Sequence, residues 1–177
     1  MKKVLIVSLL LALVMTMVMP TAALAARPCQ SAFSAEGYLT GIDTGNVREL
    51  GRTGYWLVRD RHITGQFTDG DMGNAPFVLT YSGIFALQTQ AGDLVGKLES
   101  GRSTLLVTAS VQPLSMVDMG GFSLPCLTIE GQWIGVKNLR ASGSFQASLI
   151  FVPTADGHVD YIVASSMVMS GKYLGRR

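Results

Sequence analysis

Two histidines, a short acidic loop, an arginine cluster and two cysteines are the side chains whose types and spacing invite chemistry. His158 follows an Asp156-Gly157 pair and lies two residues from Asp160, so on a strand both would point to one side. A general base oriented by a carboxylate has this form. A solvated hairpin tip has it too, and we read His158 as a tip. His62 stands in Arg59-Asp60-Arg61-His62, which reads as a charged turn. Asp69-Gly70-Asp71-Met72-Gly73-Asn74 offers closely spaced oxygens to a hard cation, but no third acid falls two residues after Asp71 and Thr80 stands where an EF-hand needs Glu. A β-turn loop is the better reading, since Asp, Gly and Asn all favour turns. Arg48, Arg52, Arg59 and Arg61 suggest an anionic-ligand or headgroup site, whereas the interspersed Glu49 and Asp60 suggest a self-neutralised, solvated loop. There is no nucleophile elbow, His-Glu-x-x-His, Walker loop or zinc-ligand cluster. No catalytic residue, metal or cofactor is assigned, and the balance leans against an enzyme.

The elements that would carry these residues are strands. Gly occurs 20 times, always after residue 25, and no stretch holds an apolar stripe at helical spacing without Gly, Pro or β-branched interruption. The clearest element is a hairpin at Asp156-Gly157, a preferred pair for a two-residue type I′ turn. That turn would set Phe151 opposite Ile162, Leu149 opposite Ala164, Ala147 opposite Ser166 and Phe145 opposite Val168 on a core face. The other face would carry Val152 with Tyr161, Ile150 with Val163, and Gln146 with Met167. It is more apolar than a solvated face usually is. A second hairpin at Ser100-Gly101 predicts a Glu99–Arg102 cross-strand ion pair, with Leu94, Leu98, Leu105 and Val107 on the buried side. Further strands are expected at 32–40, 53–58, 63–68, 77–85 and 122–137.

Eight or nine strands, several of 10 residues or more, exceed the usual sandwich strand of ~5–6. The expected fold is therefore all-β and antiparallel, a closed up-and-down β-barrel of about eight strands, with a two-sheet sandwich as the alternative. Gly131-Gln132-Trp133 resembles the Gly-x-Trp that lipocalins and avidins carry near a barrel end. Lipocalins carry it on the first strand, and three residues do not assign the chain to either family.

At the N-terminus, Lys2 and Lys3 precede an apolar run from Val4 to Met19 and then Ala23-Leu24-Ala25. This is the order of a secretory signal, expected to be helical and cleaved after Ala25, leaving residues 26–177 as a single β domain. The mature chain would be periplasmic or extracellular, with no membrane span. Removing both lysines from 14 cations leaves them equal to the 12 anions, which disfavours a nucleic-acid partner. Cys29 and Cys126 would pair after export, closing a loop of about 100 residues worth up to ~4.7 kcal/mol in the chain-entropy model.

The function expected is non-catalytic binding of a small apolar molecule or an envelope component. Phe145, Ile150, Tyr161, Val163, Met167, Met169 and Trp133 form the expected ligand-binding set, with Met116 and Met119 as further adaptable side chains. An enzyme using a barrel pocket and a self-associating module, hence a homo-oligomer, are the alternatives.

Overall fold

The computed structural model describes residues 29–136, 139–155 and 159–175. The signal segment, the Asp156-Gly157 turn and His158 lie outside the described residues. Ten antiparallel strands run in order: β1 (Cys29–Ile42), β2 (Asn46–Glu49), β3 (Tyr55–Gly70), β4 (Pro76–Ala86) and β5 (Gly92–Ser100). They continue as β6 (Ser103–Val111), β7 (Ser115–Asp118), β8 (Ser123–Val136), β9 (Ala141–Pro153) and β10 (Val159–Gly175). Among the described residues the helical content is one three-residue 3-10 turn, Gly51–Thr53.

These ten segments make eight staves. β1 pairs with the second half of β3, and β2 pairs with its first half, so β2 continues the line of β1 past a break at 43–45. In the same way β7 continues β6 along β8 past a break at 112–114. Each stave pairs with the next along the chain, and β1 pairs with both β10 and β3. The sheet is thus closed, a barrel rather than a sandwich. Closure leaves no long edge for another chain to join.

Alternation decides what lies inside. Phe33, Ile63, Phe67, Leu98, Leu105, Leu149 and Phe151 are buried, while the intervening positions are mostly Ser, Thr, Gln and charged residues. The interior is apolar, and the outer wall mixes those polar residues with exposed Val78, Ile84, Val95, Leu106, Ile134, Val163 and Val168. On that wall hydroxyls bridge neighbouring staves, Ser148 to Ser166 at 2.9 Å and Ser144 to Ser170 at 3.3 Å.

The interior is filled by aromatic rings lying over glycines of the adjacent stave. The Phe77 ring covers Gly65, its partner across β3 and β4, and Phe145 covers Gly131 across β8 and β9. Trp133 reaches over Gly143 to Gly171, donates its indole N–H to Ser144 O at 3.1 Å, and meets the Phe33 ring at 4.6 Å. A side chain at Gly65, Gly131 or Gly171 would run into the ring above it, and one at Gly143 would run into the backbone of β10. The rings pack the end of the barrel that carries the 3–4, 5–6 and 8–9 connections.

Two registers differ from those expected. The β9–β10 ladder holds the predicted register at Tyr161 opposite Val152 and Ile162 opposite Phe151, but irregularities flank these pairs, and the one before Ala164 adds a residue to β10. Beyond it Met167 faces Ala147 and Met169 faces Phe145, where Ser166 and Val168 were expected. A one-residue slip exchanges the two faces of a strand, so both methionines enter the core. Ser165 also turns inward beside the bulge. Its Oγ accepts the Leu39 N–H at 2.8 Å and donates to Leu39 O at 2.9 Å, bridging β10 to β1 at the closing seam.

In the other hairpin Ser100 faces Ser103 and Glu99 faces Thr104, so the two-residue turn is Gly101-Arg102 and the Glu99–Arg102 pair does not form. Gly101 takes a left-handed φ of 56°, which places it one position earlier in the turn than expected. Glu99 pairs instead with Lys97 at 2.5 Å on the outer wall.

The expected Cys29–Cys126 bridge has no support among the described residues. Cys126 is a buried free thiol, and the Cys29 side chain lies outside the described residues.

Candidate functional site

The opposite end of the barrel is open. There Ile42, Val58, Ile63, Phe85, Leu94, Val111, Ile129, Leu149 and Phe151 line an apolar cavity of about 80 Å³, with Trp56, Leu127 and Val159 towards its rim. Its polar members are Arg61, Tyr81 and Gln90. The rim is tied together by backbone hydrogen bonds between loops. Leu87 N–H donates to Gly54 O at 2.9 Å, and Leu114 N–H donates to Thr89 O at 2.8 Å.

A bulge in β3 brings Arg61 to this cavity. Val58 pairs with Gly83 and Arg61 with Tyr81, so Arg59 and Asp60 together oppose Ser82. Asp60 has a left-handed φ of 49°, and its N–H donates to the Ser82 hydroxyl at 3.2 Å. The extra residue lets Val58 and Arg61 both point inward although they are three positions apart. An uninterrupted strand would put them on opposite faces.

Arg61 is half-buried. Its Nε donates to the backbone carbonyl of Asp43 at 2.6 Å, and the Tyr81 hydroxyl is a hydrogen-bond partner of its guanidinium. Among the described residues no carboxylate forms an ion pair with it. Burial pushes the Tyr81 phenol above its ordinary value of 10.0, against the opposing charge and hydrogen bond of Arg61. The phenol is therefore a neutral donor at physiological pH.

Asp43 sits in the break between β1 and β2, and His62 takes up both of its carboxylate oxygens. The His62 N–H donates to Oδ1 at 2.9 Å, and His62 Nδ1 lies 2.7 Å from Oδ2. Slight burial opposes ionisation of Asp43, but the backbone and ring contacts of His62, with the charges of His62 and Arg61, outweigh it. The carboxyl is held below 3.8. Both side chains are about half exposed and lie on the outer face.

The seven side chains expected to bind a ligand fall in different places. Trp133, Phe145, Met167 and Met169 are in the packed interior, Ile150 is partly buried, and Tyr161 and Val163 are exposed. None of them lines the cavity. Met116 and Met119 are exposed on the segment from β7 to β8. Asp69 and Asp71 cap backbone amides, Asp69 Oδ1 that of Gly70 at 2.6 Å and Asp71 Oδ2 that of Ser34 at 2.8 Å, so their loop acts as a turn tied to β1.

Sequence reasoning weighed Arg61 within an anionic-ligand cluster but preferred a solvated loop, and did not place it inside the barrel. The signal was present, because Arg61, Ile63, Gly65 and Phe67 alternate in phase and the last is a core residue. Grouping Arg61 with its charged neighbours as a turn concealed it. No protein-family model, curated protein or solved structure matches the chain.

Proposed function

We propose that this chain is an exported, non-catalytic β-barrel protein that holds a small apolar molecule in the mouth of the barrel. The asymmetry of the interior carries the reading: one end is closed by aromatic rings over glycines, and the other keeps an apolar cavity of about 80 Å³ beneath a hydrogen-bonded rim. A cavity of that character excludes water more readily than it excludes hydrocarbon. Its size suits a short alkyl chain or a single ring rather than a drug-sized ligand. Export is inferred from the N-terminal pattern, with cleavage after Ala25 leaving Ala26 as the first residue.

Trp56 lies at the mouth and Trp133 in the packed half, so fluorescence separates the two. Protein recovered from an exporting host should show Trp56 emission changing on titration with short alcohols, and a Trp56→Phe variant should lose that response. Native mass spectrometry of the same material should detect bound small molecules. A mature N-terminus other than Ala26, or no saturable response to any apolar probe, would count against the reading.

A second reading has one observation behind it. Ile84, Val95, Leu106 and Ile134 are exposed on the outer wall of four successive staves, β4, β5, β6 and β8. Such a stripe suits a second copy. Sedimentation at high protein concentration tests it, and a strict monomer would remove it.

A further inference from the structure

We propose that the molecule held in the mouth is an amphipathic monocarboxylate, its head paired with the Arg61 guanidinium and its short apolar tail in the cavity. This rests on the reading of the mouth as a binding site. Arg61 is turned inward by a bulge that has no other visible role, and it stands among apolar walls. The guanidinium is half-buried and feels the Asp43 charge without forming an ion pair with it among the described residues, so an arriving anion can still pair with it directly.

The nearest acid does not serve as that anion. Asp43 spends both oxygens on His62 and gives Arg61 only its backbone carbonyl, which occupies Nε. The terminal nitrogens, one of them also engaged by the Tyr81 hydroxyl, are the donors left for a ligand. Parallel N–H donors are the geometry that a carboxylate accepts in bidentate fashion. The charge count argues for one negative charge rather than two. Among the described residues Arg61 is the one charged side chain lining the cavity, so a phosphate dianion would be left half-neutralised. The cavity volume limits the tail.

Calorimetric titration of the full chain with butanoate, hexanoate and octanoate, each beside the alcohol of equal length, tests the inference. At one of these lengths the carboxylate should bind roughly tenfold or more tightly than its alcohol, the range expected of a charge-assisted hydrogen bond. Arg61→Met should abolish that preference, and Arg61→Lys should retain only part of it. Thermal melts of both variants establish that they fold. Tyr81→Phe, which keeps the ring, supplies an independent partial loss if Arg61→Met does not fold. Equal affinity for carboxylate and alcohol overturns the carboxylate inference and leaves the apolar mouth standing. Binding of neither overturns both. Undiminished preference in Arg61→Met, or tighter binding of butyl phosphate than of any carboxylate, also overturns it.

Discussion

Replacing Gly131 with alanine tests whether the close approach of β6 and the Phe145 ring to this position requires glycine. A methyl group at Gly131 would fall on the Thr108 carbonyl oxygen, 2.5 Å from Ala109 Cβ and 2.7 Å from Cε1 of Phe145. The first two obstacles belong to the backbone and the first side-chain carbon of β6, and neither can rotate away. Overpacking of this kind costs about 1–3 kcal/mol. The loss of glycine's freedom in the unfolded chain returns ~0.4–1 kcal/mol, so from the middle of both ranges the net destabilisation is about 1 kcal/mol and at most about 2.6 kcal/mol. For a domain of this size that lowers the melting temperature by roughly 2–8 °C. Gly41→Ala is the control, because its methyl would meet only the Thr64 hydroxyl, at 3.1 Å, and that group can turn. It should melt at or slightly above the wild-type temperature. Adding Phe145→Leu to Gly131→Ala should recover little, since the ring is only one of the three obstacles. Thermal unfolding followed by circular dichroism, with urea midpoints beside it, provides the measurement. Equal melting temperatures for the two alanine variants, or full rescue by Phe145→Leu, would refute the reasoning.

The hydrogen bonds and titrating groups give three further expected outcomes. Ser165→Ala removes both contacts to the Leu39 backbone at the closing seam and should cost about 1–3 kcal/mol, with faster hydrogen exchange of the Leu39 amide as the specific sign. Asp43 has its folded pKa lowered, so its contribution is present above 3.8 and is lost as pH falls through the lower folded value. Because both partners are about half exposed, that contribution is under ~1 kcal/mol, and carbon NMR of the Asp43 carboxyl should show the midpoint below 3.8. Tyr81 has the opposite shift: its contribution is present below 10.0 and is lost as pH rises through the higher folded value. Spectrophotometric titration of Tyr81→Phe should therefore lack a phenol step that the wild type shows above 10.0.

The strands, their number and their closure were legible because burial on one face imposes a period of two, and long alternating runs such as 145–151 leave little choice of face. Leu94, Leu98, Leu105 and Val107 are buried together as their alternation implied. Bulges were not legible. The extra residue in β10 before Ala164 and the pair Arg59-Asp60 in β3 carry no composition that marks them, yet each reverses the facing of every later residue in its strand. That is why Met167 was assigned to the wrong face, whereas Arg61 was hidden by its charged neighbours although it alternates in phase with Ile63 and Phe67.

The residue order alone thus determined an antiparallel all-β chain with enough apolar positions to fill a barrel, since alternation and turn chemistry are local properties. Tertiary structure decided which end of that barrel closed and which stayed open. It did so because the fit of a ring over a glycine, and the inward turn of one arginine, depend on the register between staves. Register is a relation between segments far apart in the chain, and a single inserted residue resets it.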